Sequence, residues 1–277
     1  MSNGPGLATT IRLTLAAFRR HNASRFGAAL AFYIVFSIAP TLLIAIAVAG
    51  SLIGKEQAER EILERVSGSI GSAAGVAIAA LIESAATAKR GWLATALGLA
   101  TLYFGLTGVY RQIDDALRTI WRENAVHATT LESRLGAMVL VVATGLVVLL
   151  SVVADAAIAF TGARAAARLA GGEALWHAAQ LLASAIVLTA LFAAVFRSVV
   201  KPRLKWGDVF PGAAVTAVLF VIGKFGLGIY LGKAAVGSAF GAAGSIVVVM
   251  LWAYWSAQMF FFGLELTHVY ARKRELG

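Results

Sequence analysis

Cysteine is absent from the chain, and histidine is scarce, with His21, His127, His177 and His268 set far apart. Without cysteine there is no disulfide framework and no thiolate–metal site, and cysteine usage says nothing of redox compartment. No HExxH, GxSxG or P-loop appears, nor any His/Asp metal cluster. No catalytic residue, metal or cofactor is therefore expected, and the chain is not expected to be an enzyme. With no ATP-binding element, any work it does must draw on a gradient, a partner or downhill flow. Charge is also thin. Charged residues make up 14% of the chain, against roughly 25% in an ordinary soluble protein. A soluble fold needs polar side chains to cover its surface, and this chain has too few.

What it has instead is apolar sequence, 60% of 277 residues. A helix of about 20 apolar residues crosses a ~30 Å hydrocarbon core. Six stretches qualify: 28–53, 92–110, 135–160, 175–196, 209–231 and 245–266. The expected fold is all-α, a polytopic bundle of six transmembrane helices, with extra amphipathic helices between spans one and two. Too little chain remains for a separate soluble domain, so residues 1–277 are expected to form one integral-membrane domain. Within it, 1–27 is a cytoplasmic amphipathic leader, 54–90 an extracytoplasmic helical segment and 111–134 a cytoplasmic connector.

The net charge of +10 could suggest nucleic acid, but its distribution points to topology. With the N-terminus inside, Arg12, Arg19, Arg20 and Arg25 are cytoplasmic. So are Arg111, Arg118, Arg122 and Arg134, then Arg197, Lys201, Arg203 and Lys205, then Arg272, Lys273 and Arg274. The two short outer loops hold Arg164, Arg168 and Lys233, and in the long first loop five acids balance the bases. Positive-inside bias thus gives both termini in the cytoplasm. Trp92 and Trp176 fall at outer boundaries, and Trp121 and Trp206 near inner ones, as interfacial belts require. No cleaved signal peptide is expected, because the first apolar run follows a charged stretch and is long enough to stay in the membrane.

Outside the spans, Ile11, Leu15 and Phe18 share a helical face, with Arg12 and Arg19 off it, so residues 1–27 read as a helix on the inner membrane surface or as a solvated leader. Residues 55–66 read as a charged surface helix. Residues 72–86 are apolar but short for a span and better suited to an interfacial or buried helix, with interfacial, re-entrant and periplasmic placements open. Asp114 and Asp115 point about 100° apart on a helix, a poor metal site, and pair more naturally with nearby arginines. Gly228/Gly232 and Gly237/Gly241 have the GxxxG spacing that lets helices approach closely in lipid.

Polar groups at membrane depth carry the functional question, because ionisable residues there are costly. Asp155 and Lys224 both fall in the outer half, about 30 Å and 22 Å from the inner ends of their spans. They are candidates for an ion pair, the lysine stem bridging the difference. Glu265 lies near the inner end of span six, roughly 20 Å from Lys224, and is expected to meet an inner rim of Arg111, Arg197 or Arg203. Tyr254, Gln258 and Glu265 share one face of span six. Tyr33, Ser37 and Pro40 share one face of span one, where Pro40 bends the helix. That bend either serves packing or opens a cavity. The span-six face serves either as interhelical hydrogen-bond glue or as the lining of a substrate path.

Three segments carry a family resemblance: AALAFYIVFSIAP (28–40), DALRTIW (115–121) and WGDVFPGA…YL…SAFGAAGS…LWAYWSAQMFFFGLELT (206–267). Together they resemble the YihY/BrkB family of bacterial inner-membrane proteins over most of the chain. The family's turn usually begins Ser-Tyr-Gly, and here Phe240 holds the aromatic position. Its Gly-Ala-Glu near the end is Gly263-Leu264-Glu265 here. The resemblance implies a six-span protein of the bacterial inner membrane. The family once carried the label ribonuclease BN, but a nuclease normally needs clustered carboxylates and histidines or a general base beside basic groups. Some members have been linked to envelope lipid traffic.

The leading expectation is a transporter-like protein that moves a lipid or amphiphilic anion. Its path is lined by Tyr33, Ser37, Pro40, Lys224, Tyr254, Gln258 and Glu265. The alternative is a scaffold docking a periplasmic envelope protein through residues 55–90, and a membrane-bound ribonuclease comes third. Expected partners are membrane lipids, that envelope protein on the scaffold reading, and optionally a second copy of the chain. Nucleic acid is not among them.

Overall fold

The computed structural model describes residues 7–70, 72–87, 92–121, 172–200, 204–233 and 244–275. All regular structure among them is helical: α1 Leu7–Arg20, α2 Ala23–Ile53, α3 Lys55–Ile70, α4 Ser72–Thr87, α5 Trp92–Trp121, α6 Gly172–Val199, α7 Trp206–Lys233 and α8 Gly244–Glu275. Three stretches are long and apolar enough to cross a membrane: Ala23–Ser51, Trp206–Leu227 and Ile246–Arg272. They coincide with expected spans one, five and six. Expected span two lies within α5 and span four within α6, where Ala185–Val199 forms a shorter apolar helix. Expected span three, 135–160, lies outside the described residues, as do Asp155, Arg203, Gly237 and Gly241.

The chain divides into two compact groupings, each discontinuous in sequence. The second comprises residues 19–129 and 220–261 and is organised around α2. This helix starts after a tight turn in which Asn22 takes φ 53° and ψ 40°, a left-handed conformation that asparagine tolerates better than most residues. The Asn22 N–H donates to the Arg19 carbonyl (3.1 Å), and the Asn22 carbonyl accepts from Arg25 N–H (2.9 Å). α2 then runs through Pro40 without a break. Proline removes one backbone donor there. Nearby, the Ser37 hydroxyl donates to the Ile34 carbonyl (3.1 Å) and the Thr41 hydroxyl to the Ser37 carbonyl (2.6 Å).

α2 ends where Gly54 adopts φ 89° and ψ 141°, a region essentially closed to residues with a Cβ. The Gly54 N–H caps the helix by donating to the Gly50 carbonyl (3.0 Å). A Cβ on Gly50 would lie 3.0 Å from the Lys55 backbone, so the reversal into α3 rests on Gly54 and is close-packed at Gly50. α3 and α4 form a helical hairpin that packs back on α2, with Gly75 of α4 directly against Ser67 of α3. α4 buries Ala77, Ile78 and Ile82 in a core with Ile46, Leu227, Val248 and Val249. The short apolar segment is thus a core helix of this grouping.

α5 packs along α2, and two glycines set the contact. Gly105 lies against Ser37 and the Tyr33 carbonyl, and Gly108 lies under the Tyr33 ring. Rising numbers on α5 meet falling numbers on α2, so the pair is antiparallel. α5 continues unbroken past the apolar stretch to Trp121, so the expected connector begins as an extension of the same helix. Within it Arg118 Nε donates to Asp114 Oδ2 at 2.7 Å, the i,i+4 pairing expected for Asp114.

The first grouping comprises residues 1–18, 130–219 and 262–277. Here α1 buries Thr10, Thr14 and Ala17, and Phe18 packs against Phe262 with ring centroids 6.1 Å apart. Ile11 and Leu15 remain exposed, as do Arg12 and Arg19. α7 opens with half of a capping box, the acid three residues in reaching back to the residue before the helix. Lys205 N–H donates to Asp208 Oδ2 (3.2 Å) and Asp208 N–H to the Lys205 carbonyl (2.9 Å), satisfying donors that a helix start leaves free.

Candidate functional site

A close contact in the first grouping joins α7 to α8 through two matched pairs, Gly212/Thr216 and Gly263/Thr267. Each pair is spaced i,i+4, so glycine and threonine sit on one face. A methyl group on Gly212 would overlap Thr267 Oγ1 and lie 2.6 Å from the Gly263 carbonyl oxygen. On Gly263 it would overlap Thr216 Oγ1 and lie 2.9 Å from the Phe196 ring of α6. Each threonine hydroxyl donates to the carbonyl of its own glycine, Thr216 to Gly212 at 2.8 Å and Thr267 to Gly263 at 2.9 Å. Each threonine hydroxyl is thereby used inside its own helix, and at this point the two helices meet through small residues.

Glu265 lies between Gly263 and Thr267, and its side chain is fully buried, at 0% exposure. Two residues on from Gly263 is about 200° round the helix, so Glu265 leaves α8 on the side away from the glycine–threonine contact. Residues 263–267 are buried at every position, which makes this part of α8 a central helix with no lipid-facing side. A carboxyl sealed in such a place is costly to desolvate, and sequence length and hydropathy alone do not require it there.

The other members of the expected span-six face lie in the second grouping. Gln258 Nε2 donates to the Ser24 carbonyl at 3.2 Å, its amide resting over Gly27. This ties α8 to the start of α2. Tyr254 is half-buried. Tyr33 and Ser37 face α5, where Tyr33 meets Phe104 edge-on at 5.5 Å. Pro40 is half-buried. Of the expected inner rim, Arg111 is exposed on α5 and Arg197 is exposed on α6, its guanidinium 4.4 Å from the centre of the Trp206 ring. Position 224 lies on α7 seven residues beyond Ala217, on the face that carries Ala213 and Ala217; the Lys224 side chain lies outside the description. Among the described residues no group of three His, Cys, Asp or Glu side chains could hold a metal ion.

The opposite face of α7 is a lipid-type surface. Val218, Ile222, Phe225 and Ile229 recur at helical spacing and are each more than half exposed. Exposed aliphatic and aromatic side chains on long apolar helices mark an integral-membrane helical protein. The family model described as Virulence factor BrkB matches residues 14–276. The chain therefore belongs to the BrkB family, also called YihY, as its three segments suggested. No solved structure matches it.

The sequence reading missed the glycine–threonine contact. It looked for glycine paired with glycine, whereas any two small residues four apart allow close approach. Gly105 and Gly108 of α5 are three apart, so that spacing does not pick them out, although both lie against α2.

Proposed function

We propose that this BrkB-family protein is a transporter-like protein that moves a lipid or amphiphilic anion, with Glu265 at the working polar centre of its helices. The observation that carries the reading is the burial of this carboxyl on a membrane-type helix, within a stretch, 263–267, that is buried at every position. Ionisable groups at membrane depth are retained mainly where they serve an ion or substrate path. Lys224, Tyr254, Gln258, Tyr33, Ser37 and Pro40 line the path, and Arg111, Arg197 and Arg203 gather the anionic headgroup at its inner end. An Asp155–Lys224 pair neutralises the outer half. The protein has six spans in the bacterial inner membrane, both termini in the cytoplasm. The scaffold alternative has less to support it. α4 spends its apolar face on the core, and Val76 is its exposed large apolar side chain among the described residues.

The test is movement of labelled phospholipid in proteoliposomes of the purified protein, with RNA cleavage assayed in parallel. Glu265→Gln and Lys224→Ala should abolish movement while leaving membrane insertion and folding intact. Wild-type movement in both variants would remove these residues from the mechanism. Movement no greater than in empty liposomes would count against unaided transport altogether.

A further inference from the structure

Four aromatic rings form a continuous patch on the outside of the α2–α5 pair. Phe32 and Phe36 lie 4.8 Å apart by ring centroids, Phe32 and Tyr33 5.6 Å, Tyr33 and Phe104 5.5 Å, and Phe36 and Phe104 6.3 Å. Tyr33 is half-buried over Gly108, but Phe32, Phe36 and Phe104 are 43%, 41% and 52% exposed. The patch has a charged end. Arg25, Phe32 and Phe36 are spaced i, i+7 and i+11 on one face of α2, and Phe104 and Arg111 are spaced i and i+7 on one face of α5. In the antiparallel register set by Gly105 and Gly108, Arg111 falls within roughly one turn of Phe32, and Arg25 lies roughly one turn further toward the same end.

Both arginines are exposed. Arg25 lies 5.8 Å from the ring of its neighbour Phe26, and Arg111 has no ion pair among the described residues. Asp114 is engaged by Arg118. Asp115, exposed one turn past Arg111, is the opposing charge on that face, and with it counted the two arginines still leave the end net positive. A guanidinium holds a phosphate diester through paired N–H donors. Exposed rings beside it offer apolar surface to a hydrocarbon chain.

We propose that Arg25, Arg111, Phe32, Phe36 and Phe104 form a seat for one anionic phospholipid on the outer face of the α2–α5 pair, its phosphate on the arginines and an acyl chain across the rings. The seat deepens the transport reading by naming a docking place for the lipid, and it rests on that reading only for the lipid's onward movement. A lipid bound here without measurable movement sinks transport and keeps the seat. Movement with no lipid held here does the reverse.

The test uses the full chain in nanodiscs containing a photoactivatable phosphatidylglycerol, with labelled peptides identified by mass spectrometry. Labelling should concentrate on residues 28–36 and 104–111. The Arg25→Ala/Arg111→Ala pair should lower it about twentyfold, each arginine at an anionic surface contributing roughly a factor of five. Arg25→Lys/Arg111→Lys should keep most of it, and Arg12→Ala should leave it unchanged. A phosphatidylcholine analogue should label these segments far less. Equal labelling by both lipids, labelling as dense on the Val218–Ile222–Phe225 face of α7, or parent-level labelling in the double alanine variant would each overturn the proposal. So would efficient disulfide formation between copies carrying Phe36→Cys, since the chain has no other cysteine and a second copy would then occupy the patch. If the double alanine variant fails to fold, the comparison of anionic with zwitterionic lipid on the parent decides alone.

Discussion

Adding one methyl group to a helical glycine should have opposite effects at different positions of this protein. Inside a helix, Gly→Ala ordinarily stabilises by roughly 0.5–1 kcal/mol. At Gly226 of α7 an added Cβ meets nothing within 4 Å, so Gly226→Ala should gain about that amount. At Gly263 the new methyl overlaps Thr216 Oγ1 and comes within 2.9 Å of Phe196. Overpacking of this kind costs typically about 1–3 kcal/mol. Driving the Thr216 hydroxyl off the Gly212 carbonyl adds about 1 kcal/mol. The sum outweighs the helix gain, leaving a net loss of about 1–3 kcal/mol. At Gly212 the obstruction includes the Gly263 carbonyl, which is backbone and cannot rotate away, so Gly212→Ala should be the worst of the three. Equilibrium unfolding in mixed micelles gives all three differences. A double-mutant cycle between Gly263→Ala and Thr216→Ala should show the pair less damaging than the two single losses added, because the second change removes the blocking oxygen. The reasoning fails if Gly263→Ala is as stable as Gly226→Ala, or if the cycle is additive.

Three further outcomes can be read by the same unfolding measurement. Gly54→Ala should cost about 1–3 kcal/mol, because alanine is strained in that backbone conformation, and proteolysis should quicken at the α2–α3 junction. Asp208→Ala removes the acceptor of the α7 capping box and should cost about 0.5–2 kcal/mol, with Asp208→Glu recovering part of it. Gln258→Leu should cost about 0.6 kcal/mol, the usual worth of a polar contact between membrane helices, and Ser24 substitutions should not reproduce it, because the acceptor there is backbone.

The end of α2 and the faces of the helices were legible in the sequence, and their partners were not. The apolar stretch ending at Ile53 stops where α2 stops, because Gly54 carries the turn. The shared face of Tyr33 and Ser37 follows from spacing alone, since 3.6 residues make a turn. That this face meets Gly105 and Gly108 of α5 is a tertiary fact, which spacing within one helix cannot supply. Residues 72–86 show the same limit. Their length allowed an interfacial or a buried helix, and the decision came from Ile46, Leu227, Val248 and Val249, residues distant along the chain. Glu265 was recognisable as costly from its type and depth, but its burial on all sides depends on how α8 is surrounded. Of the arginines expected to meet it, Arg111 and Arg197 are exposed and Arg203 lies outside the described residues.

α1 has one buried side and exposed sides of two kinds. Thr10, Thr14 and Ala17 are turned to protein, Ile11 and Leu15 are exposed on a second side, and Arg12 and Arg19 are exposed beyond them, with Leu13 exposed between the arginines and the buried side. A helix so divided has one comfortable level relative to a bilayer surface. Sinking would drag guanidinium groups into hydrocarbon, and lifting would strand isoleucine and leucine in water. Phe18 packs against Phe262 of α8, three residues before Glu265, so an α1 lying at a bilayer surface would pass its level on to the buried carboxyl.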